Sequence, residues 1–148
     1  KMISIYTDGS SCGRILGPGG WAWVCVVNGV PVATDSGGWE LATNNQMEMQ
    51  AAIEGLAYAV SYKEKHPDAV ELVSDSQYTL GIANGKYSPT KNLEQCQKLT
   101  ALFSELKASA RWIPGHSGDM WNERCDSLAK RQKEILKKAK VEVVPKTP

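Results

Sequence analysis

Asp8, Glu48, Asp75 and Asp126 are the residues of this sequence best placed for chemistry: all are acidic, and each stands at the edge of a patterned segment. Carboxylates drawn from four separated segments would repel one another if folding brought them together. A divalent cation removes that cost, and an all-oxygen ligand set selects Mg²⁺, with Mn²⁺ as a substitute. Two such ions about 4 Å apart can clamp both the attacking and the leaving oxygen of a phosphodiester. Taken singly, each acid also has an ordinary reading. Asp8-Gly9 is a common turn, Asp75-Ser76 can cap a helix, Glu48 suits a helix N-terminus, and Asp126 can be a solvated surface residue.

The elements that must position these acids follow from the hydrophobic period. MISIYTD (2–8) alternates and is rich in β-branched residues, so it predicts a strand ending at Asp8. GPGG (17–20) predicts a loop, and WAWVCVV (21–27) a second strand. Asn28-Gly29 is a strong hairpin signal, and the return strand runs from Pro31 to Glu40 with a bulge expected at Gly37-Gly38. Met49, Ala52, Ile53, Leu56 and Val60 then recur at helical spacing behind Thr43-x-x-Gln46, a capping box, which predicts a helix over 44–63. AVELVSD (69–75) is a fourth strand, ending on Asp75, and DSQYTLGIANG a short helix stopped at Asn84-Gly85. LEQCQKLTALFSELK (93–107) is a helix and ARWIPG (110–115) a fifth strand. The last helix is expected over 122–140, with Cys125, Leu128, Ala129, Ile135, Leu136 and Ala139 buried, followed by a flexible tail at 141–148. Consecutive strands followed by strands alternating with helices predict a mixed sheet flanked by helices. If strands one and four are parallel neighbours, Asp8 and Asp75 meet at their carboxyl ends, where sites in α/β sheets form.

Local words extend this reading. They are TDGS at 7–10, TNNQMEMQAAIEGL at 43–56, SDSQY at 74–78 and PGHSGDMWNERCDSLA at 114–129. In this order and context they resemble the type 1 ribonuclease H family, over most of the chain from Ile3 to Lys130. The resemblance implies an α/β fold with a five-stranded mixed sheet, three antiparallel strands then parallel ones, and helices on both faces. It implies an endonuclease that hydrolyses the RNA strand of an RNA–DNA hybrid with two Mg²⁺ ions, leaving 5′-phosphate and 3′-hydroxyl ends. The catalytic and metal-binding quartet would be Asp8, Glu48, Asp75 and Asp126, with Asp8 bridging both ions. His116 matches a mobile-loop histidine that helps move a proton or release product, and Glu123 an acid that perturbs metal occupancy. RNA is selected through its 2′-hydroxyl, the group DNA lacks. The resemblance assigns that contact to Gly9, Ser10, Ser11, Cys12, Asn44, Asn45, Glu48 and Gln77, and it adds Asn122 as a further substrate contact. Thr43 and Asn44 would hold a DNA-strand phosphate at a helix N-terminus.

Composition sets the remaining bounds. A chain of 148 residues fits one domain, expected to act as a monomer. It has no apolar run of the ~18 residues a membrane span needs and no signal-peptide pattern, so a cytoplasmic protein is expected. Cys12, Cys25, Cys96 and Cys125 lack zinc spacing and read as reduced thiols. The net charge of +1 hides an asymmetry: residues 1–74 carry 4 Lys+Arg against 8 Asp+Glu, and residues 75–148 carry 13 against 8. Much of the excess lies in KRQKEILKKAK (130–140), either a solvated helix face or a surface for phosphates. Many bacterial members of the family carry a basic helix and loop after the SDSQY helix. Here that stretch, IANGKYSPTKNLEQ, holds only Lys86 and Lys91, so the last helix is the candidate replacement. Two alternatives stay open: a ribonuclease H domain of a reverse transcriptase, since Lys1 precedes Met2, and a non-catalytic hybrid-binding module of the same fold.

Overall fold

The structure is a computed structural model, which describes residues 1–143. Five strands form one mixed sheet: β1 (Met2–Ser10), β2 (Gly17–Val27), β3 (Val30–Ala42), β4 (Ala69–Ser74) and β5 (Ser109–Trp112), in the order β3-β2-β1-β4-β5. β1 pairs antiparallel with β2 and parallel with β4, so it is the central strand where the sheet changes sense. The helices are α1 (Asn44–Lys65), α2 (Gln77–Ala83), α3 (Leu93–Glu105) and α4 (Met120–Val143). The expected mixed sheet, three antiparallel strands then parallel ones with helices on both faces, is present.

Strand alternation divides the core in two. Ile3, Ile5, Trp21, Trp23 and Cys25 face α1, where they pack with Met49, Ile53 and Leu56 and with Leu99 and Phe103 of α3. Tyr6, Ala22, Val24, Val26 and Val73 face the other way and pack on Cys125 and Ala129 of α4. Asn28 and Gly29 take φ of 52° and 73°, the left-handed values a two-residue hairpin turn needs. Thr43 and Gln46 form the reciprocal capping box at the head of α1. Across the parallel strands, Glu71 accepts from Ser4 Oγ at 2.6 Å and from Arg111 Nη2 at 2.9 Å, a polar link from β1 to β5.

Several expectations change. GPGG is strand rather than loop: Gly17 pairs with Ala42 and Gly19 with Trp39, which extends β2 beside the far end of β3. The expected bulge at Gly37-Gly38 is absent. Those residues pair in register with Trp21 and Gly20, and the irregularities lie between Gly17 and Gly19 and between Cys25 and Val26. Gly37 is needed for a different reason, because a Cβ there would strike the Trp21 ring. α4 begins at Met120, since Asp119 Oδ1 accepts from the Trp121 and Asn122 amides at 3.1 and 2.9 Å and so caps the helix two residues early. It also runs to Val143, so 141–143 are helix, and the rest of the expected tail lies outside the described residues. Ile135 (50 % exposed) and Ala139 are not buried. α4 crosses from β1 over β2 to the edge strand β3, where Leu136 meets Gly38, and beyond that edge the helix has no sheet to cover.

Candidate active site

Asp8 lies near the carboxyl end of β1 and Asp75 immediately follows β4. The two strands are parallel, from Met2↔Ala69 to Tyr6↔Val73, so both carboxyl ends open on one spot. Ser76, not Asp75, caps α2: its Oγ accepts from the Thr79 amide at 3.1 Å, which leaves the Asp75 carboxylate free. Glu48 arrives from α1, on the other side of the sheet. Gly9 makes this possible, because any Cβ there would overlap the backbone of Met47 and Glu48. With Gly9 bare, the head of α1 closes on the strand end, and the Gly9 amide donates both to Asp8 Oδ1 at 3.0 Å and to Glu48 Oε1.

Oxygens of Asp8, Glu48 and Asp75 thus lie within 4.8 Å of one another. Asp8 and Glu48 are nearly excluded from water, at 5 % and 6 % exposed. Burial drives the Asp8 carboxyl up to about 7, with the charges of Asp75 and Asp126 adding to the rise and hydrogen bonds opposing it. Glu48 is pushed well above the ordinary carboxylate range by burial first and then by the charge of Asp8. Two buried carboxylates and a third beside them, with only oxygen donors, fit a hard divalent cation.

Asp126, in the second turn of α4, stands outside this trio. Its carboxylate is 3.0 Å from Lys130 Nζ, one helical turn on, yet its charge reaches Asp8. Pro114–Gly118 forms the turn next to Asp75. A Cβ on Gly115 would approach Asp75 Oδ2 to 2.9 Å, and the next residue, His116, is exposed with φ of 54°. Trp112 closes the same corner, its Nε1 donating to the Asp75 carbonyl at 3.0 Å.

The other expected contacts fall into two groups. Thr43, Asn44, Asn45 and Gln77 are exposed, and Ser11 and Cys12 are half-buried, so each has surface to offer a ligand. Ser10 is buried at the end of β1, and Asn122 is 3 % exposed with its Nδ2 unpartnered among the described residues. Glu123 is exposed in the first turn of α4. The sequence reading does not single out Trp112, Gly115 or Asp119, and it places Lys130 on a cationic face without its pairing to Asp126. Two had a usable signal: Asp119, as a capping residue type ahead of the last helix, and Lys130, four residues after Asp126 on that helix.

Comparison with known proteins identifies the family and the fold. The family model described as RNase H matches residues 1–134. The chain is 36 % identical over 145 residues to a ribonuclease H of Campylobacter curvus, a match covering 89 % of this chain and 93 % of that protein. Its fold is similar to RNase H1 from the halophilic archaeon Halobacterium salinarum, with TM-score 0.77 and 27 % identity over 91 % of this chain and 99 % of that one. It is also similar to LC11-RNase H1, solved in complex with an RNA/DNA hybrid, with TM-score 0.77 and 25 % identity over 90 % of this chain and 97 % of that one.

Proposed function

This chain belongs to the ribonuclease H family, and on that premise we propose that it hydrolyses the RNA strand of RNA–DNA hybrids, using Mg²⁺ held by Asp8, Glu48, Asp75 and Asp126. The observation that carries the metal assignment is the trio of carboxylates, two of them buried, with oxygens within 4.8 Å of one another. A protein keeps such a cluster, at a cost in desolvation and repulsion, when a cation is to occupy it. Bound Mg²⁺ would supply an activated water and neutralise charge on the leaving 3′-oxygen.

The chain's own groups do the rest. Asp8, with one oxygen fixed by the Gly9 amide, would be a ligand where the carboxylates meet. Glu48 and Asp75 would be ligands beside it, and Asp126 would join them once it releases or shares its partner Lys130. His116, exposed beside the Gly115–Asp75 contact, carries a proton or helps product leave. The half-buried Ser11 and Cys12 and the exposed Asn44, Asn45 and Gln77 offer groups that can read a hydroxyl without reading a base. Products carry 5′-phosphate and 3′-hydroxyl ends.

The test is cleavage of a hybrid labelled on each strand, beside single-stranded RNA, double-stranded RNA and double-stranded DNA, with Mg²⁺ and with EDTA. Cleavage confined to the RNA strand of the hybrid and dependent on Mg²⁺ is expected. Equal cleavage of double-stranded RNA, or activity in EDTA, would refute the assignment.

A further inference from the structure

The cations that follow Asp126 on α4 do not share one environment. Lys130 sits on Asp126 at 3.0 Å, and Lys137 lies 3.8 Å from Glu134. Arg131 and Lys138 are exposed. Lys133 instead turns toward the sheet: it is half-buried, and its Nζ donates to the Ser11 carbonyl at 3.3 Å. Ser11 lies in the segment joining β1 to β2, directly after the strand that carries Asp8.

Three observations make this bond more than an incidental surface contact. First, α4 is seated closely at this point. A Cβ on Gly20 would overlap the Ala129 carbonyl and come to 3.0 Å from the Lys133 amide, so the Lys133 backbone is fixed against β2. Second, the segment's other side-chain bonds are local: Gly13 N–H to Ser11 Oγ at 3.2 Å and Cys12 Sγ to the Pro18 carbonyl at 3.4 Å. They close the turn on its own hairpin, whereas Lys133 ties it to a helix 122 residues away in sequence. Third, Lys133 follows Asp126 by two helical turns, so one face of one rigid helix reaches both the carboxylate site and the turn.

We propose that Lys133 is a positioning residue for RNA recognition: by holding the Ser11 carbonyl against α4, it fixes the attitude of the Gly9–Cys12 turn relative to the carboxylates. In a trans peptide the C=O and N–H point in opposite directions. Anchoring the Ser11 carbonyl therefore aims the Cys12 N–H away from α4, as a donor for a ligand hydroxyl. The ammonium is committed to the protein and is not a phosphate contact. This inference rests on the proposed function, whose turn it supports.

The test compares the parent with K133M, which keeps most of the stem, and K133R, which restores a donor. Hybrid cleavage is followed with Mg²⁺. Binding of hybrid and of double-stranded DNA is measured by anisotropy in EDTA at several salt concentrations. In K133M, KM should rise about tenfold with kcat within about twofold, the pattern of lost uniform binding at the low end of a charge-assisted hydrogen bond. Hybrid affinity should fall while DNA-duplex affinity and the salt slope hold, K133R should recover most of the loss, and the Gly13 amide should exchange faster. A salt slope lower by about 0.9, with equal losses for hybrid and DNA, would make Lys133 a phosphate ligand and overturn the proposal. Unchanged KM and hybrid affinity with a lower Tm would reduce it to a helix–sheet tie and overturn it equally. A parent that does not cleave hybrid would refute the proposed function instead, while Gly13 exchange still tests the anchor.

Discussion

Asp8→Asn separates what the carboxylate cluster does for chemistry from what it costs the fold. In the folded protein burial raises the Asp8 carboxyl from 3.8 to about 7, so the native state binds this proton more tightly than the unfolded chain does. For a raised carboxylate the sign is fixed: stability is highest below about 4, falls as pH rises toward 7, and above 7 the full penalty is present. That interval corresponds to about 4 kcal/mol for Asp8. Asparagine abolishes the ionisation yet keeps an oxygen to accept from the Gly9 amide, and its NH₂ can donate to Glu48. Without divalent metal, Asp8→Asn should therefore match the parent near pH 4 and exceed it increasingly toward pH 8. A gain of several degrees in Tm is expected, since 1 kcal/mol corresponds to roughly 2–4 °C for a domain of this size. Saturating Mg²⁺ should stabilise the parent and close the gap, because the ion binds the native state alone. Cleavage should be lost in the mutant while hybrid binding stays. Melting curves from pH 4 to 8.5 in EDTA and in Mg²⁺, with turnover on the same samples, check this. A mutant whose Tm tracks the parent at every pH would show that Asp8 carries no buried charge, and normal turnover would remove it from the metal set.

Other perturbations address neighbouring parts of the structure. His116→Ala should slow kcat by ~10²–10⁴ without abolishing it, the range for acid–base assistance, and a loss as complete as that of Asp8→Asn would place it among the metal ligands instead. Replacing Arg131, Lys137 and Lys138 with Gln leaves Lys130 on Asp126 and Lys133 on Ser11. If this face meets phosphates, KM rises at constant kcat and the salt slope of binding shrinks by up to ~0.9 per contact, whereas parental values would make it a solvated face. Gly20→Ala forces a Cβ against the Ala129 carbonyl, so denaturant titration should show a loss of about 1–3 kcal/mol, and an unchanged midpoint would contradict the close seating of α4.

The sequence disclosed the parts of this protein that repeat a period or a local word. Ile3 and Ile5 alternate with Ser4 and Tyr6, which face the other side of the sheet, Asn28-Gly29 announces its turn, and Thr43-x-x-Gln46 announces its helix, because each signal is written in adjacent residues. The meeting of Asp8, Glu48 and Asp75 was reachable through strand order and family words together. The failures share a different cause. GPGG is three glycines and a proline and shows no period, so its pairing with β3 leaves no trace in the sequence, and Gly37 reads as a bulge although it makes room for Trp21. Ile135 looked buried because a helical stripe does not reveal where the sheet beneath it stops. The five cations at 130, 131, 133, 137 and 138 looked alike in the sequence, and only the seating of α4 separates Lys133 from the others.

The position of β1 also bears on how the chain acquires its structure. β1 to β3 are joined by short connections and can pair early at little entropic cost. The parallel partner of β1 arrives far later: Ser4 meets Glu71 across 67 residues, and β5 must then be added beside β4. Contacts at such separation form slowly, and parallel pairing requires the crossover through α1 to be in place. Without β4, β1 would have one edge unpaired and Asp8 would have no Asp75 beside it. The carboxylate cluster thus depends on a long-range parallel pairing, and a chain in which β4 is not docked on β1 would carry Asp8 and Asp75 without bringing them together.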